Sequence, residues 1–178
     1  MRLALHGAPG AGKTTTAARL FSELKERHYS VEHVAEYVKS WAYQGRTPEG
    51  FDQVYIFGKQ MQYEYRFLKY GVKNIITDSP PFLSGWYAQK YFGQEMADHI
   101  WALCDMYDKQ FPVFNIFIDR GSKPYDPAGR YQTEEEAKEF DAEILRSLYD
   151  HYPANRIAII PYDDKEAMLA KVLEVCDK

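Results

Sequence analysis

A glycine-rich turn near the amino terminus carries the residues with the clearest chemistry in the sequence. Residues 7–14 read GAPGAGKT and fit the pattern G-x-x-x-x-G-K-[ST] in full. In this pattern backbone N–H groups turn toward phosphate oxygens, the lysine reaches the β- and γ-phosphates, and the hydroxyl is placed to bind Mg²⁺. The sequence therefore predicts that a nucleotide binds at Gly7, Ala8, Pro9, Gly10, Ala11, Gly12, Lys13, Thr14 and Thr15.

Two carboxylates follow other predicted strands. Glu36 ends the second strand, where it could act as general base toward an acceptor hydroxyl; the alternative is a solvated carboxylate at a helix start. Asp78 ends the third strand, where it could support Mg²⁺ and a bound water or serve as the base itself. Its alternative role is a helix cap ahead of Pro80.

The loop at about 121–132 is rich in glycine, proline and charge, and it supplies cations. Arg120, Lys123 and Arg130 could close over the γ-phosphate and exclude water, which is the behaviour of a lid. An ordinary solvated loop is the alternative. Lys13, Glu36, Asp78, Arg120 and Arg130 are the expected catalytic residues, and Thr14 and Asp78 are the expected metal ligands.

These side chains favour a kinase over other nucleotide-binding classes. A switch GTPase carries an [NT]KxD motif, and this sequence has none. A motor ATPase normally has more chain. A regulatory ATPase that acts on a protein partner remains the alternative, although such an enzyme has no acceptor hydroxyl for Glu36 to activate.

The surrounding sequence predicts the elements that position this site. Short apolar runs predict five strands, and they alternate with helical patterns, which indicates an α/β fold with a parallel sheet. Thr47 and Pro48 predict the start of a helix that runs to about Tyr70, and Thr133 with Glu136 predicts a capping box. Ligands of such sheets bind at the carboxyl ends of the strands.

Composition sets further bounds. The chain has 178 residues, which predicts one domain over residues 1–178. Its net charge of −4 argues against a generic nucleic-acid coat. No apolar run is long enough to span a membrane, and two cysteines without metal spacing suggest a reducing compartment. We therefore expect a cytoplasmic protein without a membrane partner.

The order of these motifs resembles the small P-loop nucleoside and nucleotide kinases. The closest likeness is to the ribosylnicotinamide-kinase-like ATPase/kinase family, common in bacteriophage genomes. The likeness covers nearly the whole chain and rests on GAPGAGKTT, VAEYVKSWA, IITDSPPFLS and KPYDPAGRYQTEEEA. It implies a P-loop NTPase three-layer sandwich with strand order 2-3-1-4-5, ATP with Mg²⁺ as the donor, and Arg130 as the lid arginine.

The resemblance leaves the acceptor open between three kinds of molecule. Deoxynucleoside kinases read a base with a glutamine on the helix before the third strand, a place that Gln60 or Gln62 would take here, followed by Arg66. Tyr37 could stack on the acceptor or pack in the core. Another group of phage P-loop kinases phosphorylates 5-hydroxymethyluracil within DNA, and this chain resembles that group too. A free nucleoside, a nucleotide and a base in DNA all remain candidate acceptors.

Overall fold

The protein is described by a computed structural model that covers residues 1–121 and 133–177. Five strands form one all-parallel sheet in the order β2-β3-β1-β4-β5, which confirms the predicted order. The strands are β1 (Arg2–His6), β2 (Val31–Val34), β3 (Asn74–Thr77), β4 (Val113–Asp119) and β5 (Ile157–Pro161).

Helices follow the strands and cover both faces of the sheet. In chain order the α-helices of the described residues are α1 (Lys13–Glu26), α2 (Lys39–Tyr43), α3 (Asp52–Lys69), α4 (Pro81–Phe92), α5 (Gln94–Gln110), α6 (Glu134–His151) and α7 (Lys165–Cys176). A 3₁₀ turn at Ala154–Arg156 precedes β5. This arrangement is a three-layer α/β sandwich, as the resemblance implied.

Two hydrophobic cores lie on opposite sides of the sheet. Leu3 and Leu5 of β1 pack with α1 and α7 on one side. On the other side, α4, α5 and α6 pack around Trp86 and Trp101. Gly85 lets the two helices α4 and α5 approach closely, because a Cβ at that position would lie 2.2 Å from Nε1 of Trp101.

The start of α3 differs from the prediction. The helix begins at Asp52 rather than at Thr47 and Pro48. An Asp52 carboxylate oxygen accepts the N–H of Glu49 at 3.2 Å, and its other oxygen lies 3.2 Å from the guanidinium of Arg46. These contacts with Asp52 hold residues 46–49 against the start of the helix, but the segment itself is not helical.

The start of α6 confirms the predicted capping box. The Thr133 side chain accepts the N–H of Glu136 at 3.3 Å, and the Glu136 carboxylate accepts the N–H of Thr133 at 2.7 Å. Because each side chain satisfies a backbone donor of the first turn, α6 has a defined start immediately after the segment that the structure does not describe.

A buried ionic cluster lies at the amino-terminal edge of the sheet, away from the glycine-rich turn. Arg2 donates to Glu64 of α3 at 2.8 Å and also to Asp108 of α5. Tyr152 donates to Asp108 at 2.8 Å. Burial raises the pKa of Glu64, while the charge of Arg2 opposes that shift. This cluster joins β1 to the helices on one face.

None of the helices in residues 1–121 and 133–177 is both long enough and apolar enough to cross a membrane.

Candidate functional site

The glycine-rich turn connects β1 to α1 as the sequence predicted. Gly7, Gly10 and Gly12 have positive φ angles of 134°, 88° and 100°, conformations that side chains rarely adopt. Lys13 begins α1, and its ammonium donates to the carbonyl oxygens of Gly7 at 2.6 Å and Ala8 at 3.1 Å. The lysine therefore lies folded back along the turn.

The turn opens onto a cavity of about 780 Å³. One wall contains the glycine-rich turn and the first residues of α1. A second wall comes from the segment between β2 and α3 and from α4. The described residues that line it on the two walls include Pro9, Gly10, Gly12, Lys13, Thr14, Thr15, Glu36, Lys39, Tyr43, Glu49, Gln53, Ser79, Tyr87 and Tyr91.

Glu36 lies on this second wall, two residues after the end of β2. Burial raises the pKa of the Tyr87 hydroxyl, and the charge of Glu36 raises it further. Tyr87 and Tyr91 have nearly parallel rings, with centroids 6.3 Å apart. The second wall thus combines a carboxylate with aromatic surface, which suits a planar acceptor that carries a hydroxyl.

Asp78 follows β3 directly and is buried. In the part of the chain that the structure describes, neither of its carboxylate oxygens has a hydrogen-bond partner. Nε2 of His33 lies 3.9 Å from Oδ2, beyond hydrogen-bond range. A buried carboxylate without a hydrogen-bond partner is costly unless a cation or water completes it. Asp78 and the Thr14 hydroxyl are oxygen donors of the kind Mg²⁺ takes, so they fit the ion that the fold implies.

Arg120 contacts the glycine-rich turn and is not among the described residues that line the cavity. Its side chain is 8% exposed, and its Nε donates to Asp141 of α6 at 2.7 Å. Its terminal nitrogen donates to the Pro9 carbonyl at 3.0 Å. Asp141 in turn accepts the N–H of Ala8 at 2.6 Å. The described positions of these groups place Arg120 against the backbone of the turn.

The other predicted acceptor contacts lie away from the lining. Gln60 is buried, its oxygen accepts the N–H of Tyr37 at 3.0 Å, and its nitrogen donates to the Ala35 carbonyl at 3.3 Å. The Tyr37 hydroxyl donates to Tyr55 at 2.9 Å within an aromatic cluster. Arg66 is exposed, with its guanidinium 4.8 Å from the ring centre of Tyr63. Gln60 thus holds the backbone that follows β2.

Other residues at the site were not singled out from the sequence. Gln53 is buried and lines the cavity near the start of α3. Tyr87 and Tyr91 line it from α4, where their spacing of four residues was a signal for one helix face. Asp141 gave no signal, because it lies in the middle of a helix rich in acidic residues. Arg130 and Lys123, with the lid predicted at about 121–132, lie outside the described residues except at Gly121.

His6, the last residue of β1, lies buried beneath the turn. Its Nε2 is 2.9 Å from the amide oxygen of Asn115 on β4. Burial lowers the pKa of the His6 imidazole to about 3, and the charge of Lys13 adds to that effect. The strand that leads into the turn therefore holds a neutral imidazole at neutral pH.

Comparisons with known proteins agree with this geometry. A family model described as AAA domain, AAA_28, matches residues 2–166. No curated protein matches the sequence. Among solved structures, the NadR protein in complex with NR has a TM-score of 0.76 at 17% identity, over 99% of this chain and 52% of that chain. The chain therefore spans about half the length of NadR.

A second similar structure is deoxyadenosine kinase from M. mycoides with bound dATP. It has a TM-score of 0.52 at 18% identity and covers 100% of both chains. The protein APE1195 has a TM-score of 0.54 at 18% identity, over 99% of this chain and 94% of that chain. At these identities the likeness is one of fold.

Proposed function

The chain belongs to this AAA-domain family, and from that premise we propose that it is an ATP-dependent kinase whose acceptor is a free, uncharged nucleoside-type molecule. The observation that carries the proposal is the cavity itself. Lys13, Thr14 and Glu36 all line a single space of about 780 Å³. A carboxylate in the same space as the nucleotide-binding turn is available to take the proton of an acceptor hydroxyl, which is the role that a kinase requires.

Each group has a role in the transfer. Lys13 and the backbone N–H groups of the turn hold the phosphates of ATP. Glu36 accepts the proton of the acceptor hydroxyl as its oxygen bonds to the γ-phosphorus and the bond to ADP breaks. Thr14 and Asp78 would hold Mg²⁺, which neutralises phosphate charge when bound. Arg130, outside the described residues, is proposed as the lid arginine.

The second wall of the cavity, formed by the segment between β2 and α3 and by α4, is here called the acceptor wall. Its charges favour an acceptor without a phosphate. Among the described residues that line the cavity, Lys39 is the only cation besides Lys13, whereas Glu36, Glu49 and Glu136 are acidic. A nucleotide or a DNA strand would bring phosphates that such a wall does not balance. Arg46, which could have served that purpose, lies 3.4 Å from the Trp41 ring centre and pairs with Asp52.

The lining also supplies groups that suit a nucleobase. Tyr87 and Tyr91 offer aromatic surface, and Gln53 offers an amide that can both donate and accept hydrogen bonds. We therefore assign base recognition to Gln53 rather than to Gln60, whose amide bonds to the backbone. This side of the cavity is the part that would distinguish one acceptor from another.

The test is transfer of label from γ-labelled ATP with Mg²⁺ to a panel of acceptors. The panel contains free nucleosides, nicotinamide riboside, nucleoside monophosphates, and DNA with and without 5-hydroxymethyluracil. We expect label on a free nucleoside. Glu36→Gln should slow transfer by about 100-fold or more while ADP still binds. The matched control is Glu32→Gln, a carboxylate of β2 that pairs with Lys25 at 2.8 Å.

Three results would contradict the proposal in different ways. Label on DNA alone would move the acceptor to a base within a strand. Label on monophosphates alone would make the enzyme a nucleotide kinase. Label released only as free phosphate, with Glu36→Gln as active as the wild type, would favour a regulatory ATPase that acts on a protein partner.

A further inference from the structure

We propose that Asp141 is a positioning residue of the phosphate-binding turn, which it holds in its nucleotide-binding shape from the side opposite the cavity. The inference rests on the proposed nucleotide binding but not on the identity of the acceptor. Asp141 lies in the middle of α6, and no feature of the phosphate-binding motif assigns it a role.

The contacts of Asp141 fix one peptide of the turn. One of its oxygens accepts the N–H of Ala8 at 2.6 Å. The carbonyl of the same residue accepts the N–H of Ala11 at 3.1 Å and the ammonium of Lys13 at 3.1 Å. Both polar groups of Ala8 are therefore engaged within the protein. The first residues of the turn are therefore held by contacts within the protein.

The second oxygen of Asp141 forms a salt bridge with Arg120, and this pair neutralises the charge of the carboxylate. A lone carboxylate behind the turn would repel the phosphates of a nucleotide in a region of low dielectric constant. The guanidinium of Arg120 donates to that oxygen at 2.7 Å and cancels its charge. The same guanidinium donates to the carbonyl of Pro9 at 3.0 Å. Asp141 and Arg120 thus hold two successive residues of the turn, Ala8 and Pro9.

This arrangement assigns Arg120 to positioning. Its side chain is buried among the turn, Asp141 and the Ala137 carbonyl of α6, which lies 3.5 Å from its terminal nitrogen. To reach a γ-phosphate it would have to leave all of these partners. These contacts favour a positioning role for Arg120, which the sequence had suggested as a cation over the γ-phosphate.

The test measures equilibrium binding of a fluorescent ADP analogue with Mg²⁺ and without any acceptor. Asp141→Ala should weaken binding by about 10- to 100-fold, because it removes a charge-assisted hydrogen bond to the turn and strands Arg120. Asp141→Asn can still accept the Ala8 N–H but cannot pair with Arg120, so we expect a smaller loss, about 3- to 10-fold. Glu143→Ala is the matched control, because Glu143 is on the same helix and pairs with Lys90 at 2.9 Å.

Thermal unfolding of each variant without nucleotide separates positioning from general stability. If Asp141 only stabilises the fold, its variants will melt earlier and yet bind the analogue as tightly as the wild type, and the proposal is overturned. If Asp141→Ala does not fold, Asp141→Asn decides the question by the same two measurements. Because no acceptor is present, the result stands whichever acceptor the enzyme uses.

Discussion

The neutral imidazole of His6 makes a specific prediction about stability in acid. The fold holds His6 buried beside Asn115, with its pKa lowered to about 3 from an ordinary value of 6.5. Between these two values the unfolded chain binds a proton that the folded chain does not. The free energy of unfolding therefore loses nothing to this group well above pH 6.5, and it falls as the pH falls through 6.5 toward the folded pKa.

The size of the effect follows from the two pKa values. Between pH 7 and pH 5 the unfolded chain gains about 2 kcal/mol from protonation of this one side chain. The folded chain gains almost nothing over that range for any folded pKa below about 4, so the estimate does not depend on the exact depression. A change of about 2 kcal/mol is a substantial part of the stability of one domain.

Urea unfolding of the wild type and of His6→Gln at both pH values provides the assay. The glutamine does not titrate, so the loss of stability between pH 7 and pH 5 should be about 2 kcal/mol smaller in the variant. His99→Gln, which replaces an exposed imidazole on α5, is the control and should keep the wild-type difference. If His6→Gln loses as much stability in acid as the wild type, the reasoning about His6 is wrong.

Two further predictions concern packing and buried charge. Gly85→Ala should lower the free energy of unfolding by about 1 to 3 kcal/mol, because the new methyl group overlaps Trp101; urea unfolding that matches the wild type would show that α4 and α5 can separate at no cost. Arg2→Met leaves Glu64 buried without its cation and should lower the free energy of unfolding by about 3 to 5 kcal/mol at pH 7. A loss below about 1 kcal/mol in the same assay would show that water reaches Glu64.

Much of the fold could be predicted because each element has a local signal. The strands are short apolar runs, and the glycines of the turn have the positive φ angles that the motif requires. The capping box at Thr133 was visible in four residues of sequence. The start of α3 was not predicted, because the contacts of Asp52 with residues 46 and 49 outweigh the preference of Thr47 and Pro48.

Only those residues of the site that have a local sequence signal could be predicted. Glu36 lines the cavity because the end of a parallel strand has a known place in the fold. Gln53 and Gln60 lie seven residues apart on the same buried face of α3, so helical periodicity could not decide between them. The two residues are about 10 Å apart along the helix axis, and of the two only Gln53 lines the cavity. The contact between Asp141 and Ala8 joins residues 133 positions apart, which no local pattern reveals.

The two walls of the cavity differ in how they could change during evolution. Much of the acceptor wall comes from one continuous stretch of chain between Glu36 and Gln53, which begins and ends outside the sheet. Substitution, insertion or exchange of that stretch could create new acceptor preferences while the strands stay as they are. The phosphate wall depends on a turn, a strand end and a distant helix that must change together. Under the proposed function, lineages that share this fold should therefore diverge in their acceptor much faster than in the way they hold the donor.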